Sequence, residues 1–156
     1  NRNLTFVEKY FNKTVPSGVL NDEIKQKLSK IFESVGEKIE NTHLRDALDE
    51  IFELVRFGNK YFDVEKPWKT RTDDVTACEN TIFNCIELIA NLSILLSPFL
   101  PFSSKKVMEW FNLKNQWKIQ FINPGYVINK SEILFKRLDK NIISQELDNL
   151  NTIISI

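Results

Sequence analysis

A run of apolar residues near the middle of the chain constrains the fold more than any other feature of the sequence. Its apolar positions lie on most sides of a helix: Ile82, Phe83, Cys85, Ile86, Leu88, Ile89, Leu92, Leu95 and Leu96. A helix that is apolar around most of its circumference must be covered by other elements. Asn84, Glu87 and Asn91 interrupt the run, and its unbroken stretches are far shorter than the ~18 residues of a membrane span. The sequence therefore predicts the most buried helix of a helical bundle.

Amphipathic stretches on both sides of this run supply the other helices of the bundle. Their apolar positions recur at helical spacing in four groups: Leu4, Val7 and Phe11; Ile24, Leu28, Ile31, Phe32, Val35 and Ile39; Leu44, Ala47, Leu48, Ile51, Leu54 or Val55, and Phe62; Val107, Trp110 and Phe111. Gly58 falls within the third group, where glycine costs about 1 kcal/mol against alanine. We interpret it as a site where two helices cross closely. We expect Trp110 to belong to the core.

Polar residues before these stretches are typical helix N-caps. We expect the caps to be Asn21 for the second helix, Asn41 or Thr42 for the third, and Ser103 or Ser104 for the short fifth helix, while Asp73 and Asp74 begin the apolar fourth helix.

The periodicity changes after Asn115. Residues 117–122 alternate between apolar and polar, and Asn123-Pro124-Gly125 is a turn signal, so this part is predicted to be a short hairpin or extended arm. Residues 133–138 fit a last strand or a turn, and residues 141–156 form a tail with helical spacing. The predicted fold class is all-α, a bundle of four to five helices with a short extended arm or hairpin near the C-terminus.

Length and composition bound the functions that this chain can have. Its 156 residues suit one bundle with a real core, which we place at residues 1–115, followed by a C-terminal arm and terminal helix at 116–156. The 21 basic residues balance the 21 acidic ones, so any contact with nucleic acid must come from a local basic patch.

Catalytic and metal-binding patterns are absent from the sequence. Cys78 and Cys85 lie two helical turns apart, about 10 Å along the axis, which is too far for a disulfide. His43 is the one histidine, expected to face solvent at a helix start, so no metal cluster is predicted. The sequence contains no glycine-rich phosphate loop and no nucleophile–histidine arrangement. We predict no catalytic residues, no metal site and no cofactor in this chain.

Pro67 and Trp68 mark the end of the third helix. Proline cannot continue a helix, and it disfavours the helical conformation of the residue before it. We therefore expect Trp68 on a connection that continues as a polar loop over residues 69–72, with nearby cations at Lys60, Lys66, Lys69 and Arg71. A tryptophan ringed by cations can stack an unpaired base and bind its phosphates. The alternative is a tryptophan that folds back into the bundle, which this stretch alone slightly favours.

Two functional classes are open on the residues alone: a helical nucleic-acid-binding domain built around Trp68, or a helical protein-interaction domain. Four motifs in order resemble the anticodon-binding domain of methionyl-tRNA synthetases: Asn1-Arg2-Asn3 with Lys9-Tyr10-Phe11; Asn59-Lys60-Tyr61 with Pro67-Trp68; Leu95-Leu96-Ser97-Pro98-Phe99-Leu100-Pro101-Phe102-Ser103; and Gly125 with Ile133-Leu134-Phe135-Lys136-Arg137-Leu138. The resemblance covers the whole chain.

The resemblance implies a function for this chain and a larger enzyme around it. That enzyme is a cytoplasmic class I synthetase that joins methionine to its tRNA with ATP and magnesium. Its catalytic half would precede residue 1, and this domain would recognise the CAU anticodon without catalysing a reaction itself. The implied partners are the anticodon loop of tRNA and the catalytic domain of the same polypeptide, with no membrane involved. The absence of an initiator methionine and of a signal peptide fits a piece of a longer protein.

The resemblance also implies which residues contact the anticodon. Trp68 would stack on an anticodon base with Pro67 beside it, and Arg2 would contact the anticodon from the first helix. Lys9 lies two turns after Arg2 and matches a basic position, whereas a contributing asparagine one turn earlier would precede Asn1. With the whole chain in view, base stacking by Trp68 is favoured over core packing.

Two alternatives remain beside this interpretation. The domain of a sibling class I synthetase, such as the cysteinyl or valyl enzyme, shares the helical architecture, although the placement of Pro67-Trp68 argues against it. A helical protein-interaction module would instead show an exposed apolar groove and no selectivity for tRNA.

Overall fold

The chain forms seven helices within the residues that the computed structural model describes, namely 2–128, 132, 134–135 and 140–154. They are α1 Arg2–Tyr10, α2 Asp22–Glu40, α3 Leu44–Glu65, α4 Pro67–Asp73, α5 Val75–Leu95, α6 Pro101–Trp110 and α7 Lys140–Ile154. The described part contains no strand, so the predicted all-α class is confirmed. The bundle helices expected from the sequence are α1, α2, α3, α5 and α6, and α7 is the expected terminal helix, while the short α4 was not expected.

Helix α5 is the centre of the bundle, as the apolar run predicts. It packs against α1, α2, α3, α4 and α6, and almost every side chain from Thr81 to Leu95 is buried. One core cluster joins α5 to α1, α6 and the arm, and the other joins it to α2 and α3. Trp110 belongs to the first cluster, as expected. None of the described helices is long and apolar enough to cross a membrane.

Asn80 and the buried Asn84, both on the first half of α5, hold the α1–α2 loop in place. The Asn84 amide accepts a hydrogen bond from the Asn21 backbone N–H at 2.8 Å and donates one to the Val19 carbonyl at 3.0 Å. Asn80 accepts from the Val19 N–H at 2.7 Å. These polar residues interrupt the apolar run because they satisfy backbone groups of a loop that lies against the helix, where an unpaired group would be costly.

Two polar residues on the second half of α5 hold the arm in the same way. Asn91 donates to the Gln120 carbonyl at 2.9 Å and accepts from the Gln120 N–H at 3.0 Å. One turn earlier, Glu87 Oε1 accepts from the backbone N–H of Ile122 at 2.9 Å. Glu87, Asn91 and Ile122 are all buried. The arm is therefore fixed to the bundle through its backbone as well as through apolar side chains.

The C-terminal segment is an extended arm, not a hairpin, over the described residues up to 128. The predicted turn is present: Tyr126 N–H donates to the Asn123 carbonyl at 3.1 Å, and Gly125 has a φ of +83°, which favours glycine. Beyond the turn the arm pairs with the α1–α2 loop, through one isolated antiparallel bridge between Thr14 and Val127. The loop backbone offers the partner that a second arm strand would have supplied. Of residues 133–138, only Leu134 and Phe135 are described, so the predicted strand or turn there lies outside the described residues.

The predicted N-cap of α2 is confirmed, but that of α3 is wrong. Asn21 Oδ1 accepts from the backbone N–H groups of Glu23 and Ile24. Helix α3 is preceded instead by the exposed His43. Asn41 ends α2, and Thr42 takes a left-handed φ of +62°, so both belong to the reversal between the two helices.

The predicted serine caps of the fifth bundle helix are also wrong. Helix α6 begins at Pro101 with Leu100 at the N-cap position. Proline suits the first position of a helix, because its missing N–H would be unpaired there and its fixed φ is helical. Ser103 and Ser104 therefore lie within the first turn, where Ser104 is buried.

The same substitution at two glycines is expected to have opposite effects on stability. A Cβ at Gly18 would lie 2.5 Å from Phe83 Cβ, a clash with a buried ring, so Gly18→Ala should destabilise the fold by about 1–3 kcal/mol. A Cβ at Gly58 would meet only Leu88 Cδ1 at an ordinary 3.4 Å, so the predicted close helix crossing at Gly58 is wrong. Gly58→Ala should stabilise α3 by up to about 1 kcal/mol. Urea denaturation of both variants measures the change in the free energy of unfolding. Changes of the same sign in the two variants would contradict the prediction.

Candidate nucleic-acid interface

The junction between α3 and α4 places Pro67 and Trp68. Lys66 adopts a left-handed conformation with φ of 47° and ψ of 56°, which ends α3 and turns the chain. Pro67 then occupies the first position of α4. The predicted helix end before Pro67 is confirmed, but the predicted polar loop over residues 69–72 is wrong. Those residues are helical because proline, which cannot continue one helix, readily starts another.

Pro67 and Trp68 have opposite environments although they are neighbours. Pro67 is buried, and its carbonyl accepts a hydrogen bond from the Cys78 thiol of α5 at 3.4 Å. Trp68 is 45% exposed, and its ring rests against the buried ring of Phe62, with centroids 5.6 Å apart. Pro67 thus fixes α4 against α5, while Trp68 does not fill the bundle interior.

Trp68 is one end of a row of four aromatic rings, which we call the aromatic row: Trp68, Phe62, Phe6 and Tyr10. Successive ring centroids are 5.6, 6.3 and 4.6 Å apart along the row. Phe62 is buried and Phe6 is partly buried, whereas the terminal rings are exposed, Tyr10 at 38%. The row joins α1, α3 and α4, and the ring at each of its ends is partly exposed.

Arg2 contacts the same aromatic ring as Trp68. Its guanidinium carbon is 4.1 Å from the centroid of the Phe62 ring, the same ring that Trp68 contacts. Arg2 Nη1 also lies 3.0 Å from Asp63 Oδ1 in an exposed ion pair. The structure therefore brings together two of the residues that the sequence singled out, from the start of α1 and the start of α4.

Lys9 lies at the opposite end of the aromatic row from Trp68. Its Nζ is 5.1 Å from the centroid of Tyr10, and the Arg71 guanidinium carbon is 4.3 Å from the same centroid. Sequence reasoning placed Arg71 beside Trp68 and gave Tyr10 no role. The spacing within each helix could not reveal this group, because Tyr10 and Arg71 meet only when α1 and α4 pack on the same bundle.

Most cations of this region form no ion pair among the described residues. Within residues 2–128, 132, 134–135 and 140–154, seven ion pairs are present, and Arg2 is the member from this region. Lys9, Lys66, Lys69 and Arg71 take part in none of these pairs. A neutral chain thus displays a local group of cations next to exposed aromatic rings, the combination that binds single-stranded nucleic acid.

The neighbouring thiols are not suited to catalysis. Both cysteines are free and buried, as predicted. Burial raises the pKa of Cys78, and burial raises the pKa of Cys85 to about 12, so both thiols stay protonated at neutral pH. Within the described residues no group of three or more His, Cys, Asp or Glu side chains is placed to hold a metal ion. The arrangement offers stacking surfaces and hydrogen-bond donors.

Comparison with known proteins decides the family. The model of the anticodon binding domain of methionyl tRNA ligase matches residues 13–148 of this chain. The chain belongs to this family. The matched range includes Pro67 and Trp68 and begins after Arg2 and Lys9.

Curated relatives agree with this assignment. The chain is 47% identical over 151 residues to the methionine–tRNA ligase of Bacillus mycoides strain KBAB4, and 44% identical over 151 residues to methionine–tRNA ligase 1 of Alkaliphilus oremlandii strain OhILAs. Each match covers 96% of this chain and 28% of the relative, so the chain spans little more than a quarter of their length. These matches are to methionine–tRNA ligases, and they do not support the alternative of a sibling class I synthetase.

Solved structures share the fold. The chain is similar to methionyl-tRNA synthetase of Mycobacterium tuberculosis in its apo form, with a TM-score of 0.79 and 23% identity over 88% of this chain and 30% of that one. The same enzyme bound by methionyl-adenylate gives a TM-score of 0.78 at 22% identity, covering 86% of this chain and 29% of that one. At this identity the likeness speaks for the architecture of the bundle alone.

Proposed function

We propose that this domain recognises the CAU anticodon of methionine tRNA. The intact polypeptide would attach methionine to that tRNA in the cytoplasm, using ATP and magnesium on a catalytic part outside this chain. One observation carries the proposal: in a chain of this family, the half-exposed Trp68 and the cationic Arg2 lie against the same ring of Phe62.

The geometry suits an unpaired base. An exposed indole offers a stacking surface to any base, while hydrogen bonds to the base edge supply selectivity. The Arg2 guanidinium carries five N–H donors in a rigid plane. Its 3.0 Å ion pair with Asp63 and its contact with the Phe62 ring hold it at the aromatic row. Pro67 is buried and would act by positioning Trp68. Lys9 lies further along the row, where a contact with RNA would be to the backbone.

A protein-interaction module is less well supported by the same surface. Such a module would present a continuous apolar groove, whereas the exposed rings Trp68 and Tyr10 are flanked by Arg2, Lys9 and Arg71. Apolar groups interleaved with cations fit a polyanion with flat bases better than an apolar protein segment.

Arg2→Ala tests the proposal in the intact polypeptide that carries this domain. The measurement is the affinity for an RNA hairpin with CAU in its loop and for the same hairpin with the first anticodon base changed. We expect about a tenfold loss of affinity for the CAU hairpin and a smaller preference for it, because a base-edge contact is removed. The Arg2 side chain is 52% exposed, so the melting temperature should hardly change.

Arg45→Ala is the matched control. Arg45 is also an exposed arginine paired with an aspartate, Asp49, but it lies at the start of α3, away from the aromatic row. The control should bind both hairpins like the unmodified protein. Unchanged affinity and discrimination in Arg2→Ala would refute anticodon recognition by Arg2. An equal loss for both hairpins with a weaker salt dependence would assign Arg2 to a phosphate instead.

A further inference from the structure

Helix α4 presents two exposed side chains toward the aromatic row, one helical turn apart. Residues three apart are neighbours on a helix surface, separated by about 4.5 Å along the axis. Trp68 rests against Phe62 at one end of the row, and Arg71 lies over Tyr10 at the other, with its guanidinium carbon 4.3 Å from the ring centroid. The proposed function assigns a role to Trp68 and none to Arg71 or Tyr10.

The structure holds Arg71 by an aromatic ring and not by an acid. Within the described residues 2–128, 132, 134–135 and 140–154, Arg71 forms no ion pair, and its ring contact is with Tyr10. Tyr10 is itself braced by Phe6, whose ring centroid is 4.6 Å away, yet it stays 38% exposed. A guanidinium that lies over a ring is held in place while its N–H donors remain available.

An available planar guanidinium matches a phosphate group. Its N–H donors fit the oxygens of a phosphate in a paired arrangement, which the compact ammonium of lysine cannot reproduce. Lys9 Nζ lies 5.1 Å from the same Tyr10 centroid and adds a second positive charge. The position therefore favours an anion, and it continues the surface that begins at Trp68.

We propose that Arg71, held on Tyr10, binds a backbone phosphate of the RNA strand next to the nucleotide that stacks on Trp68. The contact is independent of base identity, so it positions the strand and does not choose the anticodon. This inference rests on the proposed function, because the strand that reaches Arg71 is the one that Trp68 engages.

Salt titrations with RNA hairpins test the inference in the intact polypeptide. Arg71→Gln should weaken binding of the CAU hairpin and of the altered-anticodon hairpin by the same factor, about tenfold. It should also reduce the slope of log affinity against log salt by about 0.7, the value for one single-strand phosphate contact. Arg71→Lys keeps the charge but not the planar fork, so it should recover the salt slope and only part of the affinity.

Substitutions of Tyr10 test how Arg71 is held. Tyr10→Phe keeps the ring and should bind like the unmodified protein. Tyr10→Leu removes the ring and should weaken both hairpins equally, by a smaller factor than Arg71→Gln. Tyr10→Leu with unchanged affinity would show that the ring does not position Arg71, and it would overturn that part of the inference.

Lys69→Gln is the matched control, because Lys69 is an exposed cation on the same helix without a ring contact or ion pair among the described residues. Its affinity loss and slope change should be smaller than those of Arg71→Gln. Equal effects would mean that the cations of α4 attract RNA through their summed charge and not through a specific contact of Arg71. That result would overturn the inference. Loss of CAU binding in Trp68→Ala together with full binding in Arg71→Gln would refute the phosphate contact alone, whereas full binding in both would refute the proposed function as well.

Discussion

Replacement of Trp68 by alanine is expected to weaken binding of the CAU hairpin by the intact polypeptide by about tenfold or more. Stacking of a base on an aromatic ring contributes roughly 1–3 kcal/mol per base, as judged by alanine substitution. Trp68 is 45% exposed while its ring rests against Phe62, so part of the indole is accessible to a base. Charging of methionine tRNA should fall by a similar factor, while activation of methionine, which needs no anticodon, should be unchanged.

The same variant separates base stacking from core packing. A tryptophan that fills the core would cost about 3–5 kcal/mol when truncated to alanine. Trp68 is one exposed end of the aromatic row, so its loss should lower the free energy of unfolding by much less. Melting temperature and RNA affinity are measured on one preparation. A large loss of stability with unchanged RNA affinity would end the proposed role of Trp68.

Trp117→Ala is the matched control for this prediction. Trp117, in the arm, is 40% exposed, close to the value for Trp68, but it packs against α2, with its indole N–H donating to the Phe32 carbonyl at 3.1 Å. Its ring also packs edge-on against Phe32 with centroids 5.6 Å apart. Its removal should destabilise the attachment of the arm and leave affinity for the RNA hairpin unchanged.

Glu87→Gln is expected to remove a large pH dependence of stability. Glu87 is fully buried on α5, and this burial raises its pKa from 4.5 to about 7, although the hydrogen bond from the Ile122 N–H opposes the shift. The folded chain therefore keeps the Glu87 proton at pH values where the unfolded chain has released it. Glutamine mimics the neutral acid and retains an oxygen for the Ile122 N–H.

The direction of the effect follows from proton binding. Below about pH 4.5 both states are protonated, and the group does not affect stability. Between about pH 4.5 and 7 the folded state binds more protons than the unfolded state, so stability falls as pH rises. Above about pH 7 the decrease in the free energy of unfolding is complete, at roughly 3 kcal/mol for a pKa shift of this size.

Urea denaturation at several pH values measures this difference. Glu87→Gln should match the unmodified chain near pH 4 and exceed its stability by up to roughly 3 kcal/mol near pH 8. Glu87→Leu is the companion variant, since it cannot ionise but leaves the buried Ile122 N–H without its acceptor. It should be about 1–3 kcal/mol less stable than Glu87→Gln at every pH. Parallel stability curves for Glu87→Gln and the unmodified chain would contradict the raised pKa.

The amino-acid sequence by itself determined the features that depend on near neighbours along the chain. The apolar run around Ile86 specifies a helix that other helices must cover, and α5 is that helix. Asn21 specifies the start of α2, because its side chain reaches N–H groups only two and three residues ahead. Pro67 specifies the end of α3, because proline constrains the residue directly before it.

Only the tertiary structure decided the partners of the polar residues on α5. Their positions in the sequence look like interruptions of an apolar pattern. Which backbone group each would satisfy depends on where the α1–α2 loop and the arm lie against the helix. Asn84 binds Val19 and Glu87 binds Ile122, groups far away along the chain. Periodicity contains no information about such distant contacts.

The candidate interface also combines residues identified from the sequence with an arrangement that only the tertiary structure revealed. Trp68 and Arg2 were identified from the sequence, and the exposure of Trp68 was expected from the helix end at Pro67. The aromatic row was not identified from the sequence. Tyr10 and Phe62 belong to different helices, and their rings come close only when α1, α3 and α4 pack together around α5. Local sequence determines which residues form each helix, but burial of the shared core fixes the relative placement of the helices, and that placement brings the rings and cations together.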